Sequence, residues 1–203
     1  MKQGQQEYYL SIEKEGVAEF KDRGSRFIAY AFPISNREDF KIRYQSLKKE
    51  HPKAVHHCFA YRLGADRADF RSSDDGEPSG SAGRPILGQI DSKGLTNCAV
   101  VVVRYFGGTL LGVPGLINAY KTSTSLALQM IPLVQKAVVL RITVEFEYPR
   151  QNEVLQILRQ AKAVIREQDM QLFCRITAEI PLSLYEEAVH KLKDKELNFI
   201  SAN

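Results

Sequence analysis

Two segments of the chain carry the residue types that could do chemistry. The first, Ser72 to Pro85, reads Ser-Ser-Asp-Asp-Gly-Glu-Pro-Ser-Gly-Ser-Ala-Gly-Arg-Pro. Its carboxylates, Asp74, Asp75 and Glu77, could together hold Mg²⁺, which takes oxygen ligands and keeps several waters. They could equally pair with Arg71 and Arg84, or stand solvated. Gly76, Gly80 and Gly83 permit left-handed backbone and close approach to a ligand. Backbone N–H groups from Ser79 to Gly83, just ahead of a helix, form a candidate anion nest. The second segment, Arg104 to Gly115, reads Arg-Tyr-Phe-Gly-Gly-Thr-Leu-Leu-Gly-Val-Pro-Gly. An apolar strand ends there in a guanidinium and two aromatics, turns at Gly107-Gly108 and enters a helix. Amides and a helix N-terminus near Arg104 would suit a phosphate. The segment is neither a Walker A loop, lacking G-K-[ST], nor a G-x-G-x-x-G fingerprint. Its glycines serve equally well to let strand and helix pack closely.

A pair of histidines adds to these loops. His56 and His57 lie on an expected strand, where successive side chains face opposite ways, so the two cannot readily share one ion. His57 lies with Phe59, Tyr61 and Leu63 and reads as a hydrogen-bonded core histidine. His56 lies with Cys58 and Ala60, where it could line a cleft or act as an acid or base.

The elements that position these residues follow from pattern and punctuation. Gly16 to Phe20 and Arg26 to Ile34 read as strands around a polar turn. Ser35 and Glu38 have the spacing of a capping box, and Phe40, Tyr44 and Leu47 form one helix face ended by His51-Pro52. Val55 to Leu63 is a strand, Gly64 to Gly80 a long polar loop, and Ser81 to Ile90 a short helix. The valine run Cys98 to Tyr105 has the near-continuous apolarity of a strand covered on both faces. Pro114-Gly115 opens a helix to Met130, and Pro132 to Lys136 reads as a domain boundary. Beyond it Leu140, Ile142, Val144 and Phe146 alternate with polar residues, so this strand buries one face. A helix carries Val154, Ile157, Leu158 and Ala161. A hairpin of Val164 to Arg166 and Leu172 to Ile180 turns near Gln168-Asp169. Ser183 and Glu186 suggest a second capping box, over a stripe of Tyr185, Val189 and Leu192, and Asn198 to Ser201 a last strand. The order β-α-β-β-α-β is the split arrangement of ferredoxin-like folds. Its outward positions, Glu145, Glu147 and Glu179 with Phe173 as the main aromatic, look too acidic for an RNA platform.

Bulk properties bound the function. The 203 residues fit one large or two small α+β domains, divided at 1–135 and 136–203. The polar N-terminus lacks the apolar core of a signal peptide, and the longest apolar run is far short of a membrane span. Three widely spaced cysteines, Cys58, Cys98 and Cys174, read as reduced thiols rather than a disulfide frame or zinc site. A cytoplasmic location, no membrane and no cofactor are therefore expected. Eighteen basic residues face fourteen acidic ones through Gln135, and ten face ten from Lys136 onward. The whole excess of +4 thus sits in the first part, which is compatible with an anionic partner.

Several stretches resemble the IMPACT family, whose bacterial members are the YigZ-like proteins: Gly24-Ser25-Arg26-Phe27-Ile28, His51 to Ala54 with His56-His57-Cys58, Ser73 to Pro85, and Val101 to Gly112 with Gly115-Leu116. The resemblance implies a first domain with the ribosomal-protein-S5-domain-2-like fold and a ferredoxin-like second domain similar to those of elongation factors. Pro114 stands where the family commonly carries glycine or another small residue, and it supplies no N–H. Eukaryotic relatives act in translational control, binding the activator of a starvation-responsive initiation-factor kinase through an extra N-terminal domain; this chain has no room for that domain, so that partner is not expected here. For bacterial relatives the resemblance suggests binding to nucleic acid or ribosomes.

Three functions follow. One is a binding protein acting on RNA, the ribosome or translation factors, with Arg23, Arg26, Arg84, Arg104 and Lys121 as contacts. Ser79, Gly80, Gly83, Tyr105, Gly107 and Gly108 complete that anion- or RNA-binding set, and a phosphate-containing ligand is one candidate. The second is an enzyme, hydrolytic or acting on a phosphate ligand or through a metal. There His56 is the acid or base, Asp74, Asp75 and Glu77 the proton or metal groups, and Arg104 the anion clamp. The third is a scaffold whose second domain docks a protein.

Overall fold

Alternate side chains of the valine run enter two different hydrophobic cores, and this decides the layering of the first part of the chain. The computed structural model describes residues 6–171 and 173–202. The chain divides into two compact units, one spanning Tyr9–Lys136 and one taking the chain from Ala137 onward with Tyr8. Outside the central sheet of the first unit, strand β1 (Tyr8–Ile12) pairs with a later strand described below. The sheet itself contains β2 (Gly16–Asp22), β3 (Ser25–Pro33), β4 (His56–Leu63), β5 (Asp69–Ser73) and β6 (Cys98–Tyr105). Their order is β2-β3-β6-β4-β5, and every neighbouring pair is antiparallel. Cys98, Val100 and Val102 pack with Phe27, Ile86 and Tyr120, under helices α2 (Gly83–Ser92) and α3 (Gly112–Gln129). Ala99, Val101 and Val103 pack with Phe40, Leu47 and Phe59, under helix α1 (Arg37–Glu50). A strand buried on both sides by apolar residues is what the valine run demands.

Local details differ from the sequence pattern in physically readable ways. The cap of α1 is Asn36, whose side chain accepts from the N–H groups of Glu38 and Asp39, while Asp39 reaches back to the Ser35 N–H. The capping exchange is therefore shifted by one residue from the expected Ser35–Glu38 pair, and Asn is as good a cap as Ser. The expected loop from Gly64 to Gly80 contains the edge strand β5, whose sequence Asp-Phe-Arg-Ser-Ser carries no apolar alternation. Strand β7 (Leu133–Ala137) occupies the expected linker and forms a two-stranded ribbon with β1. Helix α3 starts at Gly112, two residues before Pro114. Proline thus falls in the first turn, where its missing N–H breaks no intrahelical bond.

The second unit follows the β-α-β-β-α-β order with β8 (Val139–Phe146), α4 (Gln151–Gln160), β9 (Val164–Met170), β10 (Cys174–Pro181), α5 (Leu182–Asp194) and β11 (Asn198–Ala202). The sheet order β11-β8-β10-β9 is that of a ferredoxin-like fold. Ile142, Val144, Ile176 and Ile180 face Val154, Leu158 and Leu192 of the helices. Strand β9 runs through the expected turn at Gln168-Asp169, and β10 begins at Cys174; Leu172, expected to start that strand, lies outside the described residues. Ser183 and Glu186 form no capping box, because β10 runs directly into α5 with Pro181 at the N-cap. On the open face Glu145 pairs with Arg175, and Glu179 with Arg141 and Arg166. The expected acidic surface is thus a neutralised cross-strand ladder, and Glu147 lies beyond the strand end.

In the first unit the turn between β2 and β3 presses against the second glycine-rich loop. The Gly107 N–H donates to Ser25 Oγ at 3.2 Å, and a Cβ on Gly107 would overlap the Gly24 and Ser25 backbone. Gly108 has φ +87° but open space around its Cβ position. Gly107→Ala is therefore expected to cost about 3 kcal/mol of stability in urea unfolding, through forced backbone displacement. Gly108→Ala should cost only about 1 kcal/mol, from left-handed strain alone.

Candidate functional site

Each carboxylate of the first loop has a different destination, and this defines the site. Asp74 Oδ1 accepts from the N–H groups of Ala82 (3.0 Å) and Gly83 (2.8 Å), and Oδ2 from Gly80 (2.8 Å). The anion nest expected between Ser79 and Gly83 therefore holds an anion from its own chain. Gly83 is required there, since a Cβ would come within 2.7 Å of the Ser73 nitrogen. Burial works to raise the Asp74 carboxyl, but the three N–H donors and nearby Arg84 outweigh it and hold its pKa below the ordinary value. Asp75 adopts φ +43°, which turns its carboxylate onto the His57 N–H at 2.7 Å and its carbonyl onto His56 Nδ1 at 2.7 Å.

Glu77 goes inward. Its Oε1 accepts from Arg104 Nη1 at 2.6 Å and from the Tyr120 hydroxyl at 2.7 Å, in a cluster where the Glu77 and Arg104 side chains are 3% and 6% exposed. Burial pushes the Tyr120 phenol far up, beside Cys58 and the Glu77 charge, so it stays a donor. Cys58 Sγ lies 3.3 Å from the Tyr120 oxygen and 2.9 Å from the Asp74 carbonyl. Burial pushes this thiol well above the usual range too, so it is a packed neutral group and not a nucleophile. The guanidinium of Arg104 lies between the Phe27 and Phe106 rings, 5.4 and 5.7 Å from their centroids.

His56 completes the floor. Its Nδ1 donates to the Asp75 carbonyl, and its Nε2 lies 3.9 Å from Glu77 Oε1. Above this floor opens a pocket of about 400 Å³, lined by His56, Glu77 and Arg104 and by Val55, Phe106, Leu110, Leu111, Val113 and Leu116 among its apolar residues. Leu110 is 82% exposed and Val55 52%. His57 is buried on the opposite sheet face, as its alternation requires. Burial is the main force pushing its pKa down, and its Nε2 has no hydrogen-bond partner among the described residues.

The expected site residues are only partly brought together. His56, Glu77 and Arg104 converge on the pocket, while Asp74 and Asp75 brace the backbone beside it. Among the described residues no cluster of His, Cys, Asp and Glu is arranged to hold a metal ion. Tyr105 and Arg26 occupy the other sheet face: the Tyr105 hydroxyl meets His51 Nδ1 at 2.9 Å, and Arg26 bonds Glu19 at 2.7 Å. Arg23, Arg84 and Lys121 are exposed and, among the described residues, have no ion-pair partner. Ser79 is exposed and Gly80 half-buried at the mouth of the nest Asp74 fills. Tyr120, the second donor to Glu77, resembles an ordinary helix-core residue in sequence and gives no signal of its polar task. The apolar lip is signalled only by Leu110-Leu111 and Val113 standing among glycines.

Residues 23–128 match the Impact N-terminal domain. Over 172 residues the chain is 36% identical to the IMPACT family member YigZ of Escherichia coli (strain K12), covering 84% of each. The chain belongs to the IMPACT family. Its match to Protein IMPACT of Oryctolagus cuniculus is 36% identical over 96 residues, which are 45% of this chain and 30% of that relative. A crystal structure of a hypothetical protein shares the fold at a TM-score of 0.79 and 32% identity, covering 98% of this chain and 99% of that one. The mixed α/β architecture is thus shared with that solved structure over nearly the whole chain. No helix among the described residues is long and apolar enough to cross a membrane.

Two variants separate the roles of the carboxylates. Because the folded Asp74 carboxyl titrates below its unfolded value, its contribution is full above the ordinary carboxylate range and disappears as pH falls through the lowered value. Asp74→Asn should cost about 2 kcal/mol at neutral pH in urea unfolding, with the gap to the native chain closing in acid. Glu77→Leu leaves Arg104 buried without its partner and should cost about 3–5 kcal/mol, whereas adding Arg104→Met to it recovers much of that loss.

Proposed function

We propose that this IMPACT-family protein is a non-catalytic binding protein of the translation apparatus, contacting RNA, the ribosome or a translation factor through the two-loop face of its first unit. The observation that carries this reading is the make-up of that face. Exposed Val55, Phe106, Leu110 and Val113 lie around a pocket, and Arg23, Arg84 and Lys121 are unpaired among the described residues. Exposed apolar groups of this kind mark interaction sites, and unpaired cations support an anionic partner. The resemblance to proteins of translational control supplies the cellular setting.

A second reading, an enzyme, is favoured by one observation. His56 is held in a single tautomer with Nε2 free beside Glu77, an arrangement suited to a general base.

Co-sedimentation with ribosomes at increasing salt tests the first reading. The expected result is association that weakens steeply with salt and a slope reduced by about one unit for each cation removed among Arg23→Glu, Arg84→Glu and Lys121→Glu. His56→Gln should leave it unchanged. Association that ignores salt and all three substitutions would remove the electrostatic reading.

A further inference from the structure

The floor of the pocket between the loops holds two hydrogen-bond acceptors that the protein itself leaves unused. Glu77 spends Oε1 on Arg104 and Tyr120, while its Oε2 has no partner among the described residues. The Glu77 side chain is only 3% exposed. Unlike the unpartnered Arg104 Nε, Oε2 is not sealed from solvent, and the opening beside it is the pocket that Glu77 lines. The second acceptor is His56 Nε2. The other ring nitrogen donates to the Asp75 carbonyl, so the neutral ring presents Nε2 with a lone pair, 3.9 Å from Glu77 Oε1. Arg104 neutralises Glu77, so the pair leaves the floor without net charge. Exposed Val55, Phe106, Leu110 and Val113 stand around it.

We infer that this pocket takes a guanine base edge-on, its N1–H and N2 amino group donating to Glu77 Oε2 and His56 Nε2 and its faces covered by Phe106, Leu110 and Val113. The inference deepens the proposed function, resting on it only in taking the two-loop face as the binding face. Two neighbouring acceptors call for two neighbouring donors. Guanine presents that pair on a flat, neutral ring. Adenine and cytosine place a ring acceptor beside their amino group, and uracil flanks one N–H with two carbonyls. Each would set an acceptor against an acceptor on the floor. A guanidinium or ammonium also donates, but it would bring a second positive charge beside Arg104 and lose its water against the apolar rim. An anion would meet the two acceptors. Guanine O6 needs a donor, and the first-turn N–H groups of Gly112 and Val113 border the same pocket without an intrahelical acceptor. A volume of about 400 Å³ accommodates one nucleoside. Unstacked bases are read in this way, by hydrogen bonds to an edge and by aromatic or apolar cover on the faces. The same base can arrive in a free nucleotide or as an unpaired guanine of RNA.

The test is a titration of the full chain at about pH 7.5, above the ordinary histidine range, followed by the NMR methyl signals of Val55, Leu111 and Val113. The probes are GMP, IMP, AMP, CMP, UMP, methylguanidinium, and the RNA pentamers A-A-G-A-A and A-A-I-A-A, where I is inosine. GMP should saturate with a Kd on the order of millimolar. IMP lacks only the N2 amino group, and it should bind at least about tenfold more weakly, as should AMP, CMP, UMP and methylguanidinium. His56→Leu removes one acceptor and should weaken GMP about tenfold, whereas His56→Gln keeps an acceptor and should cost only about twofold. The preference for GMP over IMP in the native chain stands as a test without any variant. If the guanine pentamer binds more tightly than GMP and about tenfold more tightly than the inosine pentamer, the base belongs to RNA. Any other pattern of the two pentamers assigns it to a free nucleotide. No saturable GMP binding, equal binding of IMP, preference for another probe nucleotide or for methylguanidinium, or full GMP binding by His56→Leu overturns the inference. The charge-reversal variants used with ribosomes should keep the preference for GMP over IMP. A failure of the ribosome test therefore leaves the base pocket standing, and a failure here leaves the ribosome reading standing.

Discussion

A carboxylate withdrawn from water is tolerated only where donors surround it, and the arrangement of the first unit follows from how Glu77 meets that condition. Its donors come from two distant places, Arg104 at the end of β6 and Tyr120 in the middle of α3. One acidic side chain thus pins the first loop to the central strand and to the helix that follows the second loop. Desolvating such a pair is expensive, and the expense is offset only when geometry and hydrogen bonding are both good. The loop has to deliver Glu77 at one depth and angle. Asp74 and Asp75 do this work, the former by gathering three N–H groups into one turn and the latter by fastening to β4 beside His56. Gly83 and Gly107 then have a shared cause, since backbone passes there where no side chain fits.

Much of this was legible in the residues. The doubly buried valine strand, the helix stripes and the ferredoxin-like order followed from periodicity, because each records a single dominant contact with a core. The two loops stood out by composition, and His56, Glu77 and Arg104 do meet. The partners of the carboxylates were not legible. Nothing in Asp-Asp-Gly-Glu distinguishes a carboxylate that fills its own nest from one that awaits an ion, because the difference lies in backbone directions set by Asp75 and Gly76. Tyr120 was hidden for a different reason: its ring packs like any core aromatic, and only its hydroxyl meets the acid. Strands β5 and β7 escaped notice because an edge or ribbon strand, half in solvent, keeps no strict alternation.

The second unit handles charge by another route. Its open sheet face carries glutamates opposite arginines at neighbouring strand positions, each pair exposed enough to contribute little stability. Their arrangement matters more for register. A strand shifted by one residue would place like charges or apolar groups on that face. The first unit concentrates its polar chemistry in one buried knot, while the second spreads it over a solvated surface.

The central strand also shapes how the chain reaches this state. Strand β6 must find β3 and β4, both synthesised well before it, and only then can Arg104 meet Glu77. Contacts so distant in sequence raise the contact order, which slows folding. The pocket cannot form in a chain whose sheet lacks β6, because Arg104 near the end of that strand lines its floor. The same valine strand that joins the two cores thus also supplies the pocket's floor, so a chain with β6 unpaired lacks both.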